Sequence, residues 1–214
     1  MKRFDFLVAL YITCIMLSEL MGAKTFPLFT IFGFKLSASV ALLVLPLVYS
    51  ANDVIVEVYG KERARSIVRA GLLMVAFLIL FSFLAVYLPP TPRFALKEKA
   101  YETIFGLTIR IAASSLTAFA VAEFLDVFIF AKLRDALGKK GLWIRTNLSN
   151  FVSEFFDTVL FITLAFYALD KPFAMNFAFL AGLILPYWLL KCFMSILETP
   201  LVYLGVRWLR KEEK

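Results

Sequence analysis

Apolar residues in this chain do not alternate with polar ones. They come in long runs, divided by short clusters rich in Lys, Arg and Pro. A helix needs roughly 20 mostly apolar residues to cross a bilayer, and the runs at 6–22, 36–59, 67–88, 104–131, 148–169 and 173–206 predict six such helices. No small-residue cleavage site follows the first run, so it reads as an anchor and not as a signal peptide. Residues 25–34 form a further apolar piece, too short to cross, that contains Pro27 and Gly33. It predicts a re-entrant or interfacial hairpin. Pro89 and Pro90 stop the third run, and Pro186 and Pro200 predict a kink or break in the sixth. The polar linker 91–103 has room for a short surface helix. The expected fold is an all-α integral membrane bundle of six helices, forming one transmembrane domain over residues 1–214.

Composition agrees. The chain is 62% hydrophobic and 18% charged, with a mean hydropathy of +0.84. A soluble domain has about 45–50% apolar and about 25% charged residues, so there is too little polar surface here for a soluble globule. The 24 Phe suit helices that face lipid. There is no His, which excludes Ser-His and Cys-His catalysis and His-ligated zinc. Cys14 and Cys192 make no CxxC pair, and no P-loop is present. No cofactor and no metal are expected.

The net charge of +7 is loop charge, not a nucleic-acid surface. Fifteen Lys and Arg lie in four regions that six crossings place on one side: the N-terminus, the loops after the second and fourth runs, and the C-terminus. The opposite side has six, namely Lys24, Lys35, Arg93, Lys97, Lys99 and Lys171. This bias puts both termini in the cytoplasm and the chain in the cell membrane as a multi-pass protein. Tyr59, Tyr87, Trp143, Tyr167 and Trp208 fall near run ends, as an aromatic belt requires.

The candidate chemistry lies in charges within the runs. Glu123 and Asp126 occur in AEFLDVFIF, and Glu154 and Asp157 in SEFFDTVLF. A mid-membrane carboxylate costs about 2.5–3.5 kcal/mol, or roughly 10–14 kcal/mol for four deep, unpaired ones. They must therefore face a wet or partnered interior. Each pair is spaced i,i+3 and shares a helical face. Asn150, Ser153, Glu154 and Asp157 make one polar stripe on the fifth run. Lys191 shares a face with Ser195 and Glu198 and is the natural counter-charge. Asn52, Asp53 and Glu57 lie near the end of the second run. Glu19, Glu57, Arg110 and Glu198 read as snorkelling or solvated end charges, while Asp53 and Asp126 are open to either reading. The expected substrate-binding set is Asp53, Glu123, Asp126, Asn150, Ser153, Glu154, Asp157 and Lys191.

Four segments carry a family resemblance: NDVIVEVYGKERAR (52–65), EFLDVFIFAKLRD (123–135), RTNLSNFVSEFFDT (145–158) and KCFMSILETP (191–200). Over residues 36–200 the chain resembles the queuosine precursor transporters, also called the vitamin uptake transporter family. The resemblance implies a six-span inner-membrane protein that imports 7-cyano-7-deazaguanine and, in some members, its aminomethyl relative. Many members carry an amide where this chain has Glu123 and Glu154, so here acceptors replace donors. A deazaguanine suits such a site. A carboxylate accepts from its N1–H and amino group together, and its O6 takes a donor such as Lys191, Ser153 or Asn150.

The partners implied are a small deazapurine base and the lipid bilayer, with no nucleic acid; a homo-oligomer is compatible with the pattern. Transport of another small heterocycle or vitamin is the first alternative. The second is a substrate-binding membrane subunit that borrows an ATP-driven module. An intramembrane aspartyl hydrolase ranks below these, because no GxGD accompanies Asp126 or Asp157.

Overall fold

The computed structural model describes residues 3–31, 33–137 and 142–210. Within the helices some side chains, those of Glu123, Asp126 and Asn150 among them, also lie outside the described residues. The elements are α1 (Arg3–Met21), β1 (Thr25–Ile31), β2 (Phe34–Ser39), a 3-10 turn (Val40–Leu43), α2 (Leu45–Tyr59), α3 (Lys61–Tyr87), α4 (Ala95–Leu137), α5 (Leu142–Phe166) and α6 (Phe173–Arg210). The protein is all-α apart from one two-stranded hairpin. Arg3–Met21, Glu62–Tyr87, Ala95–Ala122 and Phe173–Lys191 are long and apolar enough to cross a membrane. These helices make it a multi-pass membrane protein.

The structure refines the sequence expectation at four places, the expected hairpin among them. The non-crossing piece after the first helix is a β-hairpin: its Thr, Ile and Phe suit strands, and Gly33 turns the chain at φ +82°. The hairpin and the 3-10 turn take residues expected in the second span. That leaves α2 with 15 residues, or about 22 Å at 1.5 Å per residue, short of a ~30 Å core. The expected surface helix and the fourth span are one helix of 43 residues, since helix formers fill 95–105 without a Pro or Gly between them. Finally, α6 is helical without a break through Pro186 and Pro200. Each Pro removes one backbone donor, and the Leu-rich turns around it carry the helix onward.

The chain divides into two compact units. The first comprises Met1–Phe26, Ala38–Ala113 and Phe193–Lys214, and the second Pro27–Ser37 and Ser114–Cys192.

In the first unit α1, α2, α3 and the end of α6 enclose a core of Leu7, Tyr11, Ala51, Val54, Ile55, Ala64 and Leu209. Gly205 permits the approach of α6 to α2: a Cβ there would stand 2.6 Å from Val54 Cγ2. Gly60, at φ +83°, lets α3 begin directly after α2. Ser39 fixes the entry to the 3-10 turn, accepting from the Ala41 N–H at 3.1 Å and donating to Gly22 O at 2.6 Å. Thr108 Oγ1 donates to Leu20 O at 3.3 Å, tying α4 to α1. Along α3, Leu73, Phe77, Leu80, Phe81 and Leu84 are exposed, a continuous apolar surface for lipid.

In the second unit the buried apolar residues include Ala118, Ile162, Ala165, Leu180, Leu183 and Tyr187. The turn from α5 to α6 is held by one amide. Asn176 accepts from the Ala168 N–H at 2.9 Å and donates to Ala168 O at 2.8 Å and Lys171 O at 3.1 Å. These bonds satisfy backbone groups of the turn itself.

Candidate functional site

Two carboxylates and one ammonium meet where α6 folds back along α5. Glu154 and Asp157 are one helical turn apart on α5, so both present to the same side. Side chains on a helix lean toward its N-terminus. Lys191 therefore reaches back along α6 and Asp157 back along α5, toward each other. Lys191 Nζ donates to Asp157 Oδ2 at 2.6 Å, a short charge-assisted hydrogen bond. It also lies 3.3 Å from Glu154 Oε2.

The two acids are not equivalent. The Lys191 side chain is 12% exposed, that of Asp157 24% and that of Glu154 42%. Asp157 is the anchor of the pair. Glu154 Oε2 is buried and within ion-pair range, yet it has no aligned hydrogen bond among the described residues. With both acids ionised the cluster carries one more negative than positive charge, and Glu154 is the group with acceptor capacity left over. Thr158, 2% exposed, donates from Oγ1 to Glu154 O at 2.8 Å. A back-bond of this kind is associated with slight helix bending, here at the turn that carries the acids.

Of the eight residues expected from the sequence, the structure joins Glu154, Asp157 and Lys191, with Ser153 buried on the same helix. Asp53 is exposed on α2, in the first unit. Glu123, Asp126 and Asn150 lie outside the described residues, as do Ser195 and Glu198 of the expected Lys191 face. Glu19, expected to be solvated, is buried at 6% exposure in α1; proximity to a helix end did not bring it to water.

The aromatic wall beside the cluster was not visible in the sequence reading. Trp188 packs edge-on against Phe151, with centroids 4.9 Å apart, and against Phe155 at 5.4 Å. The available signal was spacing, because Trp188 precedes Lys191 by one turn and Phe151 precedes Glu154 by one turn. Among so many apolar residues, such spacing marks core as readily as site.

Residues 39–205 match the family model described as a putative vitamin uptake transporter. A probable queuosine precursor transporter of Bacillus subtilis is 29% identical over 182 residues, covering 85% of this chain and 77% of that protein. A probable queuosine precursor transporter of Haemophilus influenzae is 30% identical over 144 residues, 65% of this chain and 57% of that one. The queuosine precursor transporter of Escherichia coli is 28% identical over 131 residues, 60% of this chain and 55% of that one. The chain thus spans little more than half the length of the last two. No solved structure matches.

Proposed function

The chain belongs to the putative vitamin uptake transporter family, and on that footing we propose that it imports a queuosine or archaeosine precursor, 7-cyano-7-deazaguanine or its aminomethyl relative, across the cytoplasmic membrane. The family is one of transporters and not of enzymes. The observation that carries the reading is the Lys191–Asp157–Glu154 cluster within the helices, where an acceptor oxygen of Glu154 is buried without a hydrogen bond among the described residues. A purine-like base with N1–H and an exocyclic amino group offers the donors that oxygen lacks. Asp157 and Lys191 hold the carboxylate pair in place, and Ser153 lies one residue from Glu154. In this reading Glu123, Asp126 and Asn150, expected from the sequence, belong to the binding set as well.

The whole chain acts as one transporter domain with six crossings and both termini cytoplasmic. The Lys and Arg bias supports this arrangement, and α2 would cross together with the residues that precede it. Reporter fusions after Arg65, Lys140 and Lys214 should report cytoplasm, and those after Lys97 and Lys171 the outside. A cytoplasmic Lys97 overturns the six-span arrangement.

The substrate is tested in a host that can neither make nor import the base. Feeding 7-cyano-7-deazaguanine should restore queuosine in its tRNA when this protein is expressed. Failure by a well-inserted protein overturns the assignment.

A further inference from the structure

Trp188, one turn from Lys191 on α6, holds a second polar atom that is unmet among the described residues. Its indole Nε1, a donor that cannot accept, is buried and has no hydrogen-bond partner among the described residues. Buried donors are nearly always paired, so an orphan beside a candidate binding site points to a ligand atom. Position supports this. Trp188 is one turn from Lys191 on α6, and its ring is braced edge-on by Phe151 and Phe155, which flank Glu154 on α5. Two edge contacts at interplanar angles of 61° and 75° brace the indole ring.

We propose that Trp188 Nε1 and Glu154 Oε2 together read a lactam edge, the N–H and C=O that sit side by side on a guanine-type ring: Glu154 accepts from the ring N–H and Trp188 donates to the adjacent carbonyl oxygen. This rests on the deazaguanine reading above and revises one of its parts. Lys191 was a candidate donor to that oxygen, but its ammonium is engaged by both carboxylates. The orphan acceptor and the orphan donor are of opposite kind, and each supplies what the other half of a lactam requires. A base with the reversed pattern, such as a 6-aminopurine with an unprotonated N1, would set donor against donor and acceptor against acceptor, so the same pair excludes adenine-type rings.

The test uses the full-length protein in detergent or nanodiscs, with 7-cyano-7-deazaguanine and its 6-thioxo analogue, which keeps the ring N–H but offers a much weaker acceptor. Trp188→Phe keeps an aromatic ring at this position and removes the N–H; the packing lost with the second ring affects both bases alike, so their difference reports the hydrogen bond. The substitution should weaken binding of the oxo base about tenfold, the loss of one hydrogen bond to a buried partner, and that of the thioxo base less than threefold. Equal losses for both bases, or none, overturn the proposal. If Trp188→Phe does not fold, indole ¹⁵N–H spectra of the wild-type protein decide. The Trp188 proton should move downfield when the oxo base is added, and a signal that stays in place while the base binds overturns the proposal. A wild-type protein that binds neither base refutes the deazaguanine reading itself; one that binds the base with an indifferent Trp188 refutes only this inference.

Discussion

Two regions of this protein hold cations by opposite means. In the first unit Arg3 and Arg63 sit at the starts of α1 and α3. Arg3 donates to Trp208 O and lies 5.4 Å from the Trp208 ring centroid. Arg63 lies 4.9 Å from the Phe4 centroid and 5.9 Å from that of Tyr59. In the second unit Lys191 lies far from either end of α6, and carboxylates hold it at 2.6 and 3.3 Å. Arg63 is exposed at its helix end and keeps water, so an aromatic face at about 0.5–1 kcal/mol is sufficient company. A lysine 12% exposed in mid-helix has lost most of its hydration and requires an opposite charge. What a cation needs is set by how far along the span it sits. Replacing a buried ion pair with well-packed apolar residues is often neutral or stabilising, so a deep cluster points to a role other than stability.

The comparison breaks most visibly at Lys191. Lys191→Ala leaves two acids one turn apart without their cation, and uptake should fall by a hundredfold or more, on the order of 3 kcal/mol. Lys191→Arg should lose less. Normal uptake by the Ala variant would put Lys191 in the same class as the arginines. Asp157→Asn should insert at least as well as the parent, because it removes a charge from the membrane. It weakens the 2.6 Å contact, and base affinity measured calorimetrically should drop by about one to two decades. If Asp157→Asn binds the base as the parent does, Asp157 is architectural and Glu154 is the one acid of the two that meets the base.

The first unit should respond in stability and not in transport. Gly205→Ala puts a methyl group into Val54 and should cost about 1–3 kcal/mol, read as a lower unfolding temperature in detergent. Uptake per folded molecule should be unchanged, and Val54→Ala should recover much of the loss in a double-mutant cycle. Additive effects would show that the close approach does not matter. The smallest effect is expected at Arg63→Ala, which should lower stability by about 0.5–1 kcal/mol and leave base affinity alone. A fall in affinity there would erase the distinction between the regions.

The sequence by itself determined the membrane class, most helix positions and the identity of the ionic cluster. Each follows from local composition: apolar runs long enough for a bilayer, and charges too costly to stand in them without a reason. The i,i+3 spacing of Glu154 and Asp157 could likewise be read directly, because helical periodicity converts sequence spacing into a shared face. Where an element changed type, the local signal was weaker. The apolar stretch 36–59 looked uniform, yet its first residues pair as a strand or form a 3-10 turn, and Ser39 fixes that change through a carbonyl 17 residues earlier. Only the tertiary structure decided that Asp157 takes a hydrogen bond from Lys191, that Glu19 is buried, and that Trp188, one turn from Lys191, has a donor unmet among the described residues. Those outcomes depend on how far two helices have advanced when their side chains meet. A span this rich in apolar residues does not encode which of them face a neighbour and which face lipid, because both surroundings favour the same side chains.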